Sequence, residues 1–207
     1  MTAPIDTLRA GAAAMGVALS DSQAERLLAY GTLMLKWNKV YNLTALRDPA
    51  SVLTHHLLDS LAIHPDLHGA TVADVGTGAG FPGLPLAVLN PERRFTLIDS
   101  NGKKIRFVQH AARTLGLSNV EGLHGRAETI TGRVFDTVVA RAFAPLPELV
   151  ASIDGLSGPH TRVLAMKGKW PQDEINGLPP QWQQQGSREL TIPGLQESRC
   201  VIILRKP

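Results

Sequence analysis

The residues of this sequence whose types and spacing could do chemistry begin with three alternating glycines. Gly76, Gly78 and Gly80 follow a short apolar run in "VADVGTGAGFPG". Because they lack a Cβ, such glycines let the backbone turn sharply and approach a ligand closely. Asp99 ends the next apolar run, about twenty residues further on, where a carboxylate can accept hydrogen bonds from both hydroxyls of a ribose. The spacing therefore predicts a ligand that contains adenosine.

Two classes of cofactor fit this glycine pattern. Gly78, Gly80 and Gly83 satisfy the dinucleotide fingerprint, so a nicotinamide or flavin oxidoreductase is one interpretation. A Walker phosphate loop is excluded because no Gly-Lys-Ser/Thr follows. A tight turn that binds no ligand is the plain structural alternative.

Asp74 favours the other class of cofactor, S-adenosylmethionine. It lies just ahead of the loop, where its charge would repel a pyrophosphate and attract the ammonium group of a methionine moiety. Pro82 and Pro85 also remove two amides near the predicted helix start that a pyrophosphate could have used. A carboxylate that only braces the loop is the alternative for Asp74.

The segment "VVARAFAPL" bears on which group would receive a methyl, because ligands bind at the carboxyl ends of parallel strands. It lacks the Asn/Asp-Pro-Pro-aromatic sequence of amino-group methyltransferases. Cys200, the only cysteine, lies in the last predicted strand, far along the chain from the loops of the site, which disfavours cytosine-C5 chemistry. His55 and His56 are adjacent, so they point to different sides of a helix. Core or surface roles are favoured for them over a metal that assists O-methylation.

An acceptor that is already a nucleophile remains. Guanine N7 has a free lone pair at neutral pH and loses no proton on attack, so catalysis can rest on positioning. Arg141 suits that role, since a guanidinium could hydrogen-bond the cofactor carboxylate, guanine O6 or a phosphate. An ion pair with a nearby carboxylate such as Glu128 is the structural alternative.

The elements that must position these residues form an α/β pattern from residue 70 onward. Strand-like runs alternate with helical candidates, which is typical of a parallel sheet covered by helices on both faces. Two later strand-like runs predict an antiparallel hairpin, and the polar segment "QWQQQGS" predicts a mobile loop. The strand-like runs are 70–76, 94–100, 120–125, 135–143 and 161–168, the hairpin runs are 187–193 and 197–207, and the helical candidates are 82–90, 103–116 and 145–156.

The first third of the chain predicts helices. Ser22 and Glu25 have capping-box spacing at the start of one helix, and Asp48 can cap another. We therefore expect a helical N-terminal extension over residues 1–69 and a cofactor-binding domain over residues 70–207.

Composition and charge limit the function classes. The net charge of +3 divides into −1 over residues 1–69 and +4 over residues 70–207, so the positive excess accompanies the glycine-rich segment. That excess fits an RNA surface or an ordinary solvated basic face. A single cysteine excludes an intrachain disulfide and a cysteine-rich zinc site. Neither a membrane span nor a secretory signal is apparent, so we expect a cytoplasmic protein.

The chain resembles a known family, the bacterial small-subunit ribosomal RNA guanine-N7 methyltransferases, also called RsmG or GidB. The resemblance runs from about residue 27 to residue 204 and includes motifs outside the cofactor loop. The motifs are "WNKVYNLTAL", "HHLLDSLA", "DVGTGAGFPGLPLA", "LIDSNGKKIRFV", "GRAE", "VARAFAPL" and "MKG". It implies a class I S-adenosylmethionine-dependent methyltransferase fold, Rossmann-like, with a mostly parallel sheet and an antiparallel C-terminal hairpin.

The resemblance also implies roles for particular residues. Gly76 and Phe81 of "GTGAGFPG" would contact S-adenosylmethionine, and Arg141 would reach into the site. Ala127 and Glu128 of "GRAE" would border the adenine. No metal is implied. A non-catalytic RNA-binding protein with a vestigial cofactor loop is the rival from a different class.

The partner that the resemblance implies is 16S ribosomal RNA or the small ribosomal subunit. Lys167 and Lys169 follow the fifth predicted strand on the ligand-bearing edge and are candidate phosphate contacts, with solvated lysines as the alternative. Asn42, Arg47 and Asp59 are candidates to shape an RNA entrance, and helix capping and core hydrogen bonding explain them equally well.

Overall fold

The computed structural model describes residues 3–206. The helices are α1 (Pro4–Ala14), α2 (Asp21–Tyr41), α3 (Pro49–Val52), α4 (Asp59–Leu61), α5 (Gly83–Leu89), α6 (Gly102–Thr114), α7 (Leu146–Ser152) and α8 (Gln172–Asn176), with a π-helical turn at Leu53–Leu58 and 3₁₀ turns at His64–Asp66, Ala127–Thr129 and Asp154–Leu156. The strands are β1 (Thr71–Val75), β2 (Arg94–Asp99), β3 (Val120–His124), β4 (Thr137–Arg141), β5 (Arg162–Lys167), β6 (Gln183–Glu189) and β7 (Cys200–Arg205).

All seven strands form one sheet in the order β3-β2-β1-β4-β5-β7-β6. The first five strands pair in parallel, and β7 runs antiparallel to both β5 and β6. Strands β1, β4 and β5 lie in the middle of the sheet and are buried almost throughout, as expected of parallel strands covered on both faces. The predicted fold class is confirmed, with a parallel α/β sheet and an antiparallel hairpin at its end.

The two faces of the sheet pack against different helices. On one face, the N-terminal helices and α5 and α6 share a hydrophobic cluster that includes Tyr30, Leu84 and Phe107. On the other face, α7 packs in a second cluster around Leu149 and Trp182. The first cluster contains residues from both sides of residue 70, so the N-terminal helices share a core with the sheet. The division into two domains at residue 70 stays a prediction.

The structure corrects two local predictions and contains one helix that the sequence analysis missed. The capping box of α2 is formed by Ser20 and Gln23, not by Ser22 and Glu25, so the helix begins at Asp21. The segment "QWQQQGS" is not a loop, because most of it belongs to the exposed edge strand β6, which pairs with the buried β7. Helix α8 was not predicted from the sequence.

The capping box leads to a stability prediction. Replacing Ser20 by alanine removes the acceptor for the backbone amide of Gln23, so Ser20→Ala should lower the free energy of unfolding by about 1 kcal/mol. Ser22→Ala is the matched control and should change it by less than about 0.5 kcal/mol, since Ser22 is not the capping residue. Urea unfolding followed by circular dichroism measures both values, and equal effects would contradict the assignment.

Candidate functional site

Two neighbouring cavities open at the carboxyl edge of the parallel strands. The smaller one has a volume of about 340 Å³ and lies at the ends of β1, β2 and β3. The larger one, of about 630 Å³, lies between the N-terminal helical layer and the ends of β4 and β5. Gly76 and Ala142 line both cavities, so the two meet where β1 and β4 end. A third cavity, between α1, α2 and α3, contains none of the predicted site residues.

The glycine loop after β1 requires its glycines for two different reasons. Gly76, Gly78 and Gly80 have φ angles of 70°, 61° and 95°, in the left-handed region that favours glycine. At Gly80 a Cβ would also come within 2.5 Å of the Leu84 side chain, whereas at Gly78 it would meet almost open space. Gly78 therefore presents bare backbone at the rim of the larger cavity.

Most amides of this loop are engaged within the protein. The Gly76 and Thr77 amides donate to the carbonyl of Ile98, and the Gly80 and Phe81 amides donate to the carbonyl of Thr77. Among residues 76–81, only the Ala79 amide has no acceptor within residues 3–206. A pyrophosphate would find no amide cradle here, although such a cradle is the basis of dinucleotide binding.

Asp74 holds the loop from beneath. Its side chain is fully buried, and its Oδ2 accepts hydrogen bonds from Thr77 Oγ1 at 2.6 Å and from the Gly83 amide at 2.8 Å. Burial raises the pKa of this carboxyl to about 6, although both hydrogen bonds oppose the shift. Asp74 lines neither cavity, and its contacts are those of the bracing alternative. A contact with the ammonium group of a methionine moiety stays a prediction.

The smaller cavity contains the acid at the end of β2. Asp99 Oδ2 accepts from the Gly78 amide at 2.9 Å, and its Oδ1 accepts from the Asn101 amide at 2.8 Å. Ala127 and Glu128 line the same cavity, and their position beside an adenine stays a prediction. Phe143 forms part of the wall and fills the space where a Cβ of Gly76 would lie. Apolar and charged side chains thus share the lining of this cavity, and two backbone amides orient the Asp99 carboxylate within it.

Arg141, the last residue of β4, lies in the wall of the larger cavity. Its Nη1 donates to Asp59 Oδ2 at 3.0 Å and to the backbone carbonyl of His55 at 3.1 Å. The structural alternative for Arg141, an ion pair with a nearby carboxylate, is therefore present, but the carboxylate is Asp59, because Glu128 pairs with Arg126. The partner of Arg141 comes from the N-terminal helical layer, which the sequence did not indicate.

His55 and His56 both line the larger cavity, so the expectation that they point to different sides of a helix is wrong. The preference for core or surface roles over a metal site stays a prediction. They lie in the π-helical turn, where the hydrogen bonds run from i to i+5 and the side chains leave the ordinary α-helical spacing. His56 Nε2 lies 2.8 Å from Thr44 Oγ1, and its Nδ1 lies 3.4 Å from the Arg141 guanidinium. Burial, together with the nearby Arg141 charge, lowers the pKa of His56 to about 4, so the ring is neutral at physiological pH.

Phe81 connects the glycine loop to this cluster. Its buried ring stacks on His56 with 4.4 Å between centroids, contacts the Tyr30 ring at 4.9 Å, and lies under the Arg141 guanidinium at 5.3 Å. The Tyr30 hydroxyl donates to the carbonyl of Ala79. Phe81 therefore supports the guanidinium from the loop side, in addition to lining the larger cavity.

Lys167 and Lys169 have different environments. Lys167 Nζ donates to Glu174 Oε2 at 2.7 Å and to the carbonyl of Ala144 at 2.8 Å, so its charge is neutralised within the protein and it is not a free phosphate contact. Lys169 is exposed, as a phosphate contact requires. Cys200 lies opposite Lys167 in the β5–β7 pair and is buried, which raises the pKa of its thiol.

Of the three polar residues predicted near an RNA entrance, only Asp59 lies at a cavity. Asn42 ends α2 in the left-handed conformation and accepts a hydrogen bond from Arg47, so both belong to a helix cap outside the cavities. Asp59 lies in the larger cavity. Within residues 3–206, no group of three or more His, Cys, Asp or Glu side chains is arranged to hold a metal ion. In the same range, no helix combines the length and hydropathy needed to cross a bilayer.

The opposite pKa shifts of Asp74 and His56 lead to a pH prediction. A raised carboxyl pKa makes the folded state bind the proton more tightly, so the Asp74 contribution to stability falls as pH rises from about 4 to about 6. A lowered histidine pKa has the opposite effect, and the His56 contribution rises over that window. Asp74→Asn should therefore make the free energy of unfolding increase with pH more steeply than in the wild type.

Urea unfolding at both ends of this window measures the effect. His56→Gln is the reciprocal variant and should make the free energy of unfolding rise with pH less steeply than in the wild type. Parallel pH profiles for the wild type and Asp74→Asn would show that Asp74 does not titrate in this range.

The comparisons with known proteins agree on one family. The family model described as GidB, rRNA small subunit methyltransferase G, matches residues 23–202. A protein named ribosomal RNA small subunit methyltransferase G from Marinobacter nauticus is 48% identical, over 96% of this chain and 94% of that protein. The protein of the same name from Pseudomonas syringae pv. tomato is 45% identical, over 96% and 95%.

A solved structure supports the fold independently. The crystal structure of a SAM-dependent methyltransferase from Aquifex aeolicus superposes with a TM-score of 0.59 at 19% identity, covering 79% of this chain and 97% of that one. At that identity the likeness shows the fold alone. The family model and the near relatives match most of the chain. This chain therefore belongs to the GidB family, the rRNA small subunit methyltransferase G proteins.

Proposed function

We propose that this chain transfers a methyl group from S-adenosylmethionine to N7 of a guanosine in 16S ribosomal RNA. The observation that carries the proposal is the meeting of the two cavities at Gly76 and Ala142, with Arg141 in the wall of the larger one. One cavity has the size and chemistry for a nucleoside, and the other has space for a second base. The relatives are named as methyltransferases of small-subunit ribosomal RNA, which supports the same substrate.

The residues of the smaller cavity fit S-adenosylmethionine. Asp99 would accept hydrogen bonds from the ribose hydroxyls through lone pairs that its two amide contacts leave free. Ala127 would pack against the adenine, and Glu128 would border it. Gly76 and Gly78 would let the methionine part pass toward the larger cavity. When bound, the cofactor supplies an electrophilic methyl group on its sulfonium.

The charge of the loop region favours this cofactor over a dinucleotide. Most loop amides are engaged within the protein, and Asp74 and Asp99 lie beneath and beside the loop, so a pyrophosphate at the loop would meet two carboxylates and few free amides. A sulfonium nucleoside carries positive charge and no phosphate, and neither feature conflicts with this surface.

Methyl transfer to guanine N7 needs no general base, because N7 attacks through a lone pair that is free at neutral pH. Correct placement of the two reactants supplies the rate increase, to which positioning can contribute roughly 7 to 11 kcal/mol. Arg141 would orient the base through O6 or a phosphate. His56, neutral and stacked on Phe81, would hold the guanidinium in place.

Exposed basic residues at this edge are candidates to contact the RNA backbone. Lys169 follows β5, and Arg126 lies at the rim of the smaller cavity. Both would contact phosphates, which position an RNA without reading its sequence. A ribosomal RNA substrate, free or within the small ribosomal subunit, also implies a cytoplasmic protein.

The proposal is tested by incubating the protein with methyl-labelled S-adenosylmethionine and small ribosomal subunits, then locating the label by mass spectrometry. A single 7-methylguanosine in 16S ribosomal RNA is the expected product. Calorimetry with NADH separates an oxidoreductase, which would bind NADH and not S-adenosylmethionine. Salt-dependent RNA binding with no methyl deposited would indicate a non-catalytic RNA-binding protein.

Asp99→Ala tests the ribose contact. Hydrogen bonds to a charged carboxylate contribute about 1.5 to 3 kcal/mol each, so its loss should weaken S-adenosylhomocysteine binding by about 10- to 100-fold in calorimetry. Asp154→Ala, an exposed acid outside both cavities, is the control and should leave the Kd within about twofold. A wild-type Kd for Asp99→Ala would remove this residue from the site.

Arg141→Lys tests the orienting role while keeping a positive charge near Asp59. A misplaced base slows transfer by about 100-fold when the geometry shifts by roughly 1 Å, so kcat should fall by about that factor, with a smaller change in cofactor Kd. Arg188→Lys is the matched control, because Arg188 also pairs with an aspartate, Asp66, but lines neither cavity, and it should keep the wild-type kcat. Thermal melting checks that each variant folds, and a folded Arg141→Lys enzyme with wild-type kcat would contradict the role.

A further inference from the structure

Asp59 presents an unusual group within the larger cavity. The residue is 2% exposed and lines that cavity. Its Oδ2 accepts from Arg141 at 3.0 Å, but its Oδ1 is buried and accepts no hydrogen bond from residues 3–206. Buried carboxylate oxygens without a hydrogen bond are costly, so such an atom in a folded protein calls for an explanation.

Arg199, the cation beside Asp59 Oδ1, does not donate a hydrogen bond to it. Arg199 Nε lies 3.3 Å from Asp59 Oδ1, close enough for attraction but without hydrogen-bond geometry. The Arg199 side chain is 24% exposed, precedes β7 and lines the same cavity, so it lies beside Oδ1 at the cavity surface. A ligand that shifts Arg199 would uncover an acceptor directly beside Arg141.

Arg141 and Asp59 therefore place a donor and an acceptor next to each other. The guanidinium keeps donor capacity beyond the ion pair, since no acceptor among residues 3–206 pairs with its Nε. Guanine carries the complementary pair, because its O6 acceptor is adjacent to its N1–H donor. Adenine carries the reverse, a 6-amino donor next to the N1 acceptor, and would oppose donor to donor and acceptor to acceptor.

We propose that Asp59 and Arg141 together select guanine as the target base, with Arg141 donating to O6 and the free Asp59 oxygen accepting from N1–H. The inference rests on the proposed transfer to guanine N7 and adds the residue that recognises the base. Asp59 is then a specificity-determining residue that contacts the substrate, in addition to holding Arg141. N7 lies on the other side of O6 from N1, so this contact leaves N7 free to face the cofactor.

Base analogues test the inference on the wild-type enzyme. After the target guanosine is mapped, small subunits are reconstituted with 16S RNA in which splint ligation replaces it by inosine or by 2,6-diaminopurine riboside. Inosine keeps O6 and N1–H and lacks the 2-amino group, so its kcat/KM should stay within about fivefold of guanosine. The diaminopurine keeps N7 and the 2-amino group and reverses the O6/N1 pattern, so its kcat/KM should fall by about 100-fold or more.

Asp59→Asn provides the protein side of the test. An amide can turn a donor toward N1, so the preference for guanosine over 2,6-diaminopurine should shrink at least tenfold, while the Kd for S-adenosylhomocysteine stays within about threefold. Asp66→Asn is the matched control, because Asp66 also pairs with an arginine, Arg188, but lines neither of the two cavities at the sheet edge. It should keep the wild-type preference.

The outcomes separate this inference from the proposed function. Methylation of 2,6-diaminopurine within tenfold of guanosine by the wild type would overturn the recognition by Asp59, whether or not Asp59→Asn folds. An unchanged preference in folded Asp59→Asn would overturn it as well. Failure of the wild type to methylate guanosine itself would instead contradict the proposed guanine-N7 activity.

Discussion

The ion pair between Asp59 and Arg141 holds the site together, because it joins the N-terminal helical layer to the end of β4. Both partners are largely buried, so removing either would leave a charge in a poorly solvated place, at a typical cost of 3 to 5 kcal/mol. The wall of the larger cavity depends on this contact, since His56 and Phe81 pack against the same guanidinium. The helical layer is thus part of the site and not only a cover for the sheet.

The glycine loop matches the dinucleotide-binding sequence pattern, but carboxylates lie beneath and beside it. Asp74 supports the loop from below, and the Gly83 amide at the start of α5 donates to it. The helix start and the loop amides are therefore directed into the protein. What remains for a ligand is bare glycine backbone and the carboxylate of Asp99, a surface that suits a cationic nucleoside better than a phosphate.

The π-helical turn at Leu53–Leu58 brings together groups that an ordinary helix would separate. His55, His56 and Asp59 all line the larger cavity. Turns of this kind are rare and occur often at functional sites. Here the turn supplies a neutral imidazole and a backbone carbonyl to Arg141, and Asp59, the first residue of α4, supplies a buried carboxylate to it. The motif "HHLLDSLA" contained these residues, but the sequence carries no periodic signal for the geometry.

The amino-acid sequence by itself determined the alternation of strands and helices from residue 70, the parallel sheet with its hairpin, the glycine loop and the position of Asp99 at a strand end. These features follow from local hydrophobic patterns and from glycine, which act over a few residues. Motif resemblance also indicated the family. Only the tertiary structure decided that Asp59 pairs with Arg141, that Glu174 neutralises Lys167, and that polar β6 is a strand. Asp59 and Arg141 are 82 positions apart, and Glu174 and β7 reach their partners only once the chain has folded, so local sequence patterns do not encode which groups meet.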